Sequence, residues 1–147
     1  MRKLFLTALT AFMLSLLGQW LAEMLTAPIS LIGQFVSLRL SHNAGIAFSI
    51  ALPSTLQALL IPIALVVVCI VAIRTAHDRI SRIGFGLILG GAVANLVDRL
   101  PDGLVTDYVA VGTFPVFNLP DAFICIGAGL LLLEGMNRER KKRTIVK

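Results

Sequence analysis

The stretch Gly91–Ala110, GAVANLVDRLPDGLVTDYVA, sets three aspartates and an arginine at the end of an otherwise apolar segment. A fourth aspartate follows in FNLPDAF, Phe117–Phe123, again at the edge of an apolar run. Charge beside hydrocarbon is expensive, so acids retained there need a structural partner or a chemical task. Two carboxylates held close in a low-dielectric site cannot both ionise easily, and they share a proton. One can then activate water while the other protonates a carbonyl oxygen or a leaving amine, which makes a hydrolytic acid–base pair. The chain offers no competing set: no serine stands in a nucleophile-elbow context and no glycine-rich phosphate loop occurs.

The elements that position these acids follow from composition. The 147 residues fit one domain, 1–147, and are 57% hydrophobic and 14% charged, with a mean hydropathy of +0.91. Soluble domains are about 45–50% apolar and about 25% charged, so lipid is the expected solvent. A bilayer core needs about 20 apolar residues as helix. Four segments qualify, at about 4–24, 55–73, 83–100 and 119–135, and Pro62 should kink the second. MRK before LFLTALTAFMLSLLG also resembles the start of a signal peptide. The bulky residues of GQWLAEML leave no small-x-small cleavage site, so an anchor is expected.

The net charge of +5 is concentrated, with six of thirteen Lys/Arg in the last ten residues. That suits a tail beside anionic lipid headgroups, and no aromatic–basic platform suggests nucleic acid. Eleven basic residues (Arg2, Lys3, Arg74, Arg79, Arg82 and the six after the fourth span) fall on one side, against Arg39 and Arg99 on the other. The positive-inside rule then puts both termini in the cytoplasm and both longer connections, 25–54 and 101–118, outside. His42 and His77 fall on opposite sides, so no metal site is expected from them. Cys69 and Cys125 lie in apolar runs and are expected to be buried, apolar and unpaired. Gly86, Gly90 and Ala94 form a four-residue stripe that lets another helix approach closely. QFVSLRLSHNAGIAF alternates before an Asn-Ala-Gly turn signal, which predicts a short outward-facing strand or hairpin on the membrane. The fold expected is all-α, with four transmembrane helices, both ends inside, and a small β-like cradle.

Depth brings the acids together. Asp98 lies 15 residues beyond Ile83, about 23 Å along a helix. It therefore reaches the outer interface, where Asp121 enters the fourth span and Asp107 lies in the connection between. Singly, each has another reading. Asp98 with Arg99 could be an interfacial ion pair, and Asn95 shares a helix face with Asp98. Asn118-Leu-Pro-Asp121 has the pattern of an N-cap with proline in the first turn, where an anion is favoured. Asp102, in LPDGL, reads as a turn. Asp107, in VTDYV, has no such structural reason.

NAGIAFS (43–49), ANLVDR (94–99), VTDYV and FNLPD resemble the ordered motifs of the lipoprotein signal peptidase family, also called signal peptidase II. They occur in the family's order on its four-span layout. The resemblance implies an intramembrane aspartic protease of the bacterial cytoplasmic membrane. It would remove signal peptides from diacylglyceryl-modified prolipoproteins, cutting just before the lipidated cysteine. Asp107 and Asp121 would be the catalytic pair. Asn43, Gly45, Asn95, Asp98, Arg99 and Asn118 would hold substrate and orient the pair. No metal or organic cofactor is implied, and membrane lipid and the lipidated precursor are the expected partners of a monomer.

The chain departs from the family pattern in the first span, where Gly18 and Ala22 of GQWLA stand at positions of an acid and a lysine. Ala94 replaces a glycine and Pro120 an alanine. These changes leave room for a non-catalytic relative that binds lipidated peptides, or a membrane scaffold. A proton pathway is disfavoured because the acids cluster at one surface.

Overall fold

The computed structural model describes residues 1–45 and 54–145. Four helices dominate: α1 (Arg2–Glu23), α2 (Ser54–Thr75), α3 (Arg79–Arg99) and α4 (Leu119–Ile145). Each contains a stretch long and apolar enough to cross a membrane. Strands β1 (Ile29–Ile32), β2 (Val36–Asn43) and β3 (Val105–Val111) form an antiparallel sheet in the order β1-β2-β3.

The helical spans match the expected ones with shifted ends. α3 starts at Arg79 rather than 83 because Asp78 caps it, accepting the Ser81 N–H at 2.8 Å. α4 runs past 135 to Ile145, since the basic tail of good helix formers continues it beyond the apolar stretch. Pro62 lies inside a continuous α2.

Glycine sets the helix packing. A Cβ on Gly90 would stand 2.4 Å from the Ala8 carbonyl oxygen, and one on Gly91 would stand 2.6 Å from the Pro120 carbonyl oxygen. α3 therefore has a close contact with α1 through Gly86 and Gly90 of the predicted small-residue stripe, and a second one with α4 through Gly84 and Gly91, which lie outside that stripe. Leu4 and Ala8 meet Gly86 and Gly90, so α1 and α3 run parallel. Gly127 and Pro120 meet Gly84 and Gly91, so α4 runs antiparallel to both. The C-terminal ends of α1 and α3 and the N-terminus of α4 consequently share one end of the bundle.

Burial is inverted relative to a soluble protein. Phe5, Leu9, Leu17, Ile63, Val66 and Leu132 are exposed, whereas Ser15, Gln19 and Asn118 are buried. Hydrocarbon solvates apolar side chains as well as a core would, so polar groups turn inward instead. The cysteines follow this logic and correct the expectation of burial: both thiols are free, but both are exposed on the outside of their helices.

The predicted strand before Asn-Ala-Gly is β2, joined to β1 through a turn with Gly33 at φ 51°. Gly45 closes the Asn-Ala-Gly turn by donating its N–H to Asn43 Oδ1 at 2.8 Å. The rest of NAGIAFS, residues 46–49, lies outside the described residues. The third strand is the addition: Asp107 sits on β3, not in a plain connection, opposite Ser41 in the β2 register.

Candidate active site

The chain beyond β3 folds back on it. The Tyr108 and Val109 N–H groups donate to the Phe117 carbonyl oxygen at 3.0 and 2.7 Å, and Phe117 N–H donates to the Val109 carbonyl at 3.0 Å. This return sets Asn118, the first capping residue of α4, directly against the strand.

Asn118 is fully buried and joins three elements. Its Oδ1 accepts the Asp121 N–H at 2.9 Å, capping α4 as the sequence pattern predicts. Its Nδ2 donates to Asn95 Oδ1 on α3 at 3.0 Å and lies 3.4 Å from the Thr106 carbonyl oxygen on β3. Asn95 in turn donates through Nδ2 to Asp121 Oδ1 at 2.8 Å. The Asp121 carboxylate is therefore held across to α3 and is not used up as a cap. Pro120 fits here because its missing N–H belongs to the first helical turn, where no intrahelical partner exists.

Asp98 faces elsewhere. Its Oδ2 accepts the Thr106 N–H at 2.6 Å and the Gln19 Nε2 at 3.2 Å. The Thr106 hydroxyl lies 3.2 Å from Asp98 Oδ1 and 3.1 Å from Glu23 Oε1, and it can donate to only one of them at a time. His42 Nε2 is 3.0 Å from the same Glu23 oxygen. Asp98 thus clamps the residue immediately before Asp107. It does not form an ion pair with Arg99: among the described residues, the Arg99 guanidinium donates through Nη2 to the Gly45 carbonyl, and its Nε is buried without a partner. Arg99 interacts electrostatically with Asp121, Asp107 and Asp98 together. Asp102 is the predicted turn, accepting the Leu104 N–H at 2.9 Å.

Asp107 is 2% exposed. Its Oδ2 accepts Asn43 Nδ2 at 2.9 Å, while Oδ1 is buried with no partner among the described residues. Burial pushes the carboxyl up to about 6, against the Asn43 hydrogen bond and with the help of the nearby Asp121 charge. A buried carboxyl with one oxygen unpartnered among the described residues, interacting electrostatically with a second carboxylate and an arginine, can hold a proton and release it near neutrality. No group of three or more His, Cys, Asp or Glu suited to a metal occurs among the described residues.

All eight sequence-selected residues (Asn43, Gly45, Asn95, Asp98, Arg99, Asp107, Asn118 and Asp121) belong to this one connected end of the bundle. Gln19, Glu23, Thr106 and Tyr108 belong to it too and were missed. Thr106 and Tyr108 flank Asp107, which was a usable signal. Gln19 and Glu23 are single polar residues at the end of an apolar span, a pattern that interfacial anchoring also produces.

A family profile described as Signal peptidase (SPase) II matches residues 6–137. The lipoprotein signal peptidases of Brucella ovis and Brucella canis are each 46% identical over 117 residues, 72% of this chain and 72% of theirs. A solved bacterial membrane enzyme structure superposes with a TM-score of 0.86 at 22% identity, covering 95% of this chain and 90% of that one. A second does so at 0.79 and 22%, covering 89% and 90%. At that identity the likeness is one of fold. This chain, a multi-pass bacterial membrane protein, belongs to the signal peptidase II family of proteases.

Proposed function

We propose that this chain is an aspartic endopeptidase of the bacterial cytoplasmic membrane. Its substrate is a diacylglyceryl-modified prolipoprotein, cut before the lipidated cysteine. The observation that carries the reading is Asp107, buried with one oxygen unpartnered among the described residues and electrostatically coupled to Asp121 from a different element. Family membership supports the substrate class. The distribution of basic residues supports an orientation with both termini inside and the carboxylates at the outer face. Both carboxylates come from one chain, so the unit proposed is a monomer forming a single integral membrane domain.

In this reading Asp107, with its raised affinity for a proton, is the acid. Asp121, at a helix N-terminus and accepting from Asn95, is the base that activates water. Asp107 donates its proton to the scissile carbonyl oxygen as water attacks, and Asp121 takes the proton from that water. The resulting gem-diol then collapses: Asp121 gives the water-derived proton to the leaving amine as the C–N bond breaks, and Asp107 takes a proton back from a diol hydroxyl as the new carboxyl group forms. Arg99 and the Asn43 amide moderate the negative charge beside the buried Asp107 carboxyl. Asn43, Gly45, Asn95, Asp98, Arg99 and Asn118 hold substrate or orient the pair.

A gel-shift assay with a diacylglyceryl-modified precursor tests the proposal. Wild type should release the signal peptide. Asp107→Asn and Asp121→Asn should each remain in the membrane and leave the precursor intact. Full cleavage by either variant would remove the dyad assignment, and wild type that binds the precursor without cutting it would favour a non-catalytic binder.

A further inference from the structure

Asp107 and Tyr108 are consecutive on β3, so their side chains leave the strand on opposite faces. Asp107 points toward Asn43. Tyr108, 8% exposed, runs the other way, between α1 and α4. Its hydroxyl accepts the Leu119 N–H at 3.2 Å. Leu119 is the first residue of α4, two before Asp121, and its N–H has no partner within its own helix. Burial pushes the Tyr108 phenol above its ordinary value, so the hydroxyl stays neutral throughout the working pH range.

The far end of the ring abuts α1 at Gly18. A Cβ there would stand 2.4 Å from the Tyr108 hydroxyl oxygen and 3.3 Å from Cζ. Glycine inside a helix is about 1 kcal/mol less favourable than alanine, so its presence in mid-α1 calls for a reason. The phenol supplies one: it fills the volume that any side chain at position 18 would take. The same position is where the family resemblance leads one to expect an acid.

We propose that Tyr108, seated on Gly18, is a positioning residue that fixes the relative placement of Asp107 and Asp121 by tying β3 to α1 and to the first turn of α4. The proposal rests on the reading of these two aspartates as the reacting pair. Asn118 joins the same two elements from another side, through Thr106 and the Asp121 N–H. The Phe117 backbone is also paired with Tyr108 and Val109, so without the phenol the first turn of α4 could still pivot about those bonds and Asn118, and small displacements between reacting groups are costly.

The test uses the full chain in lipid nanodiscs, as wild type, Tyr108→Phe, Gly18→Ala and the double variant. Tyr108→Phe keeps the ring and removes one oxygen. Its kcat on a diacylglyceryl-modified precursor should fall on the order of 10- to 100-fold, with KM within about two-fold. Gly18→Ala should lower kcat by displacing the hydroxyl. The double variant should lose less than the product of the two single losses, because the added methyl group no longer meets an oxygen. Hydrogen exchange of the 117–122 amides, read in the same samples, needs no turnover and should quicken in Tyr108→Phe. Faster exchange there supports the tie even if wild type cleaves nothing, a result that would sink the dyad reading alone. Unchanged exchange, a kcat within about two-fold of wild type, or a loss that only follows the folded fraction overturns the proposal.

Discussion

Two aspartates at opposite ends of the bundle show what environment does to one side chain. Asp78, between α2 and α3, is saturated: it accepts the Ser81 N–H and hydroxyl, and the Arg138 guanidinium of α4. Slight burial works against its ionised form, but these donors hold its carboxyl well below the usual range. Asp107 is deeply buried and, among the described residues, accepts one hydrogen bond and has one oxygen without a partner. Its carboxyl moves the opposite way, to about 6. A fully paired carboxylate is permanently charged and does structural work only. An under-paired, desolvated one retains a proton that can be spent near neutral pH.

The largest expected effect breaks this contrast at its reacting end. Asp107→Asn or Asp121→Asn should lower precursor cleavage by about 10²–10⁴-fold, measured as initial rate, while Asp78→Asn stays within about two-fold of wild type. Comparable losses at both ends would mean that fold disruption, not chemistry, explains the variants. Next comes Asn118→Ala, which removes the cap on the Asp121 N–H and the bridge to Asn95. A kcat loss of up to about 10²-fold is expected, together with a stability loss of about 1–3 kcal/mol from buried partners left unsatisfied. Steady-state kinetics and thermal unfolding on the same preparation check both.

The same contrast explains what the sequence made legible. Helices were readable because hydrocarbon demands long apolar runs, and a close helix approach to α3 because small residues recur at four-residue intervals, though not that α1 is the partner. Asn118 and Asp121 were readable because a capping pattern is local. The third strand was not, since VTDYVAV owes its strand geometry to pairing with β2, which is distant in sequence, as in the Ser41–Asp107 pair. Nor were the targets of Asp98 and Asn95. Both lie on one side of α3, yet Asp98 turns to Thr106 on β3 and Asn95 to Asp121 on α4. A helix face gives direction but not partner. The cysteines misled for a related reason: in lipid, apolar character predicts contact with solvent as readily as burial.

Stability should separate the two aspartates in opposite senses. Asp107 binds its proton more tightly folded than unfolded, so its favourable contribution is present below about pH 4 and is lost as pH rises through about 6. Asp107→Asn, neutral throughout, should therefore raise the melting temperature by about 3 °C at pH 8 and have almost no effect at pH 4. Asp78 is depressed, so its contribution is present above its unfolded value and fades in acid. Asp78→Ala should cost about 1 kcal/mol at pH 7, the usual loss of an N-cap, with less difference near pH 3. Melting curves of the three proteins across pH would decide; curves that shift in parallel would erase the distinction.

The finest test concerns which carboxyl gives the proton. With Asp107 as the acid, kcat should fall on the alkaline side as that carboxyl ionises. The Asn43 amide donates to Asp107 Oδ2 and so favours the ionised form. Asn43→Ala removes that donor, and the protonated form should persist to higher pH. The alkaline limb should then move upward by up to about one unit, even as the maximal rate drops. If the limb stays fixed and the acid limb moves upward instead, Asp107 is the base and Asp121 the acid. The same pair of carboxylates would then run the reaction with their roles exchanged.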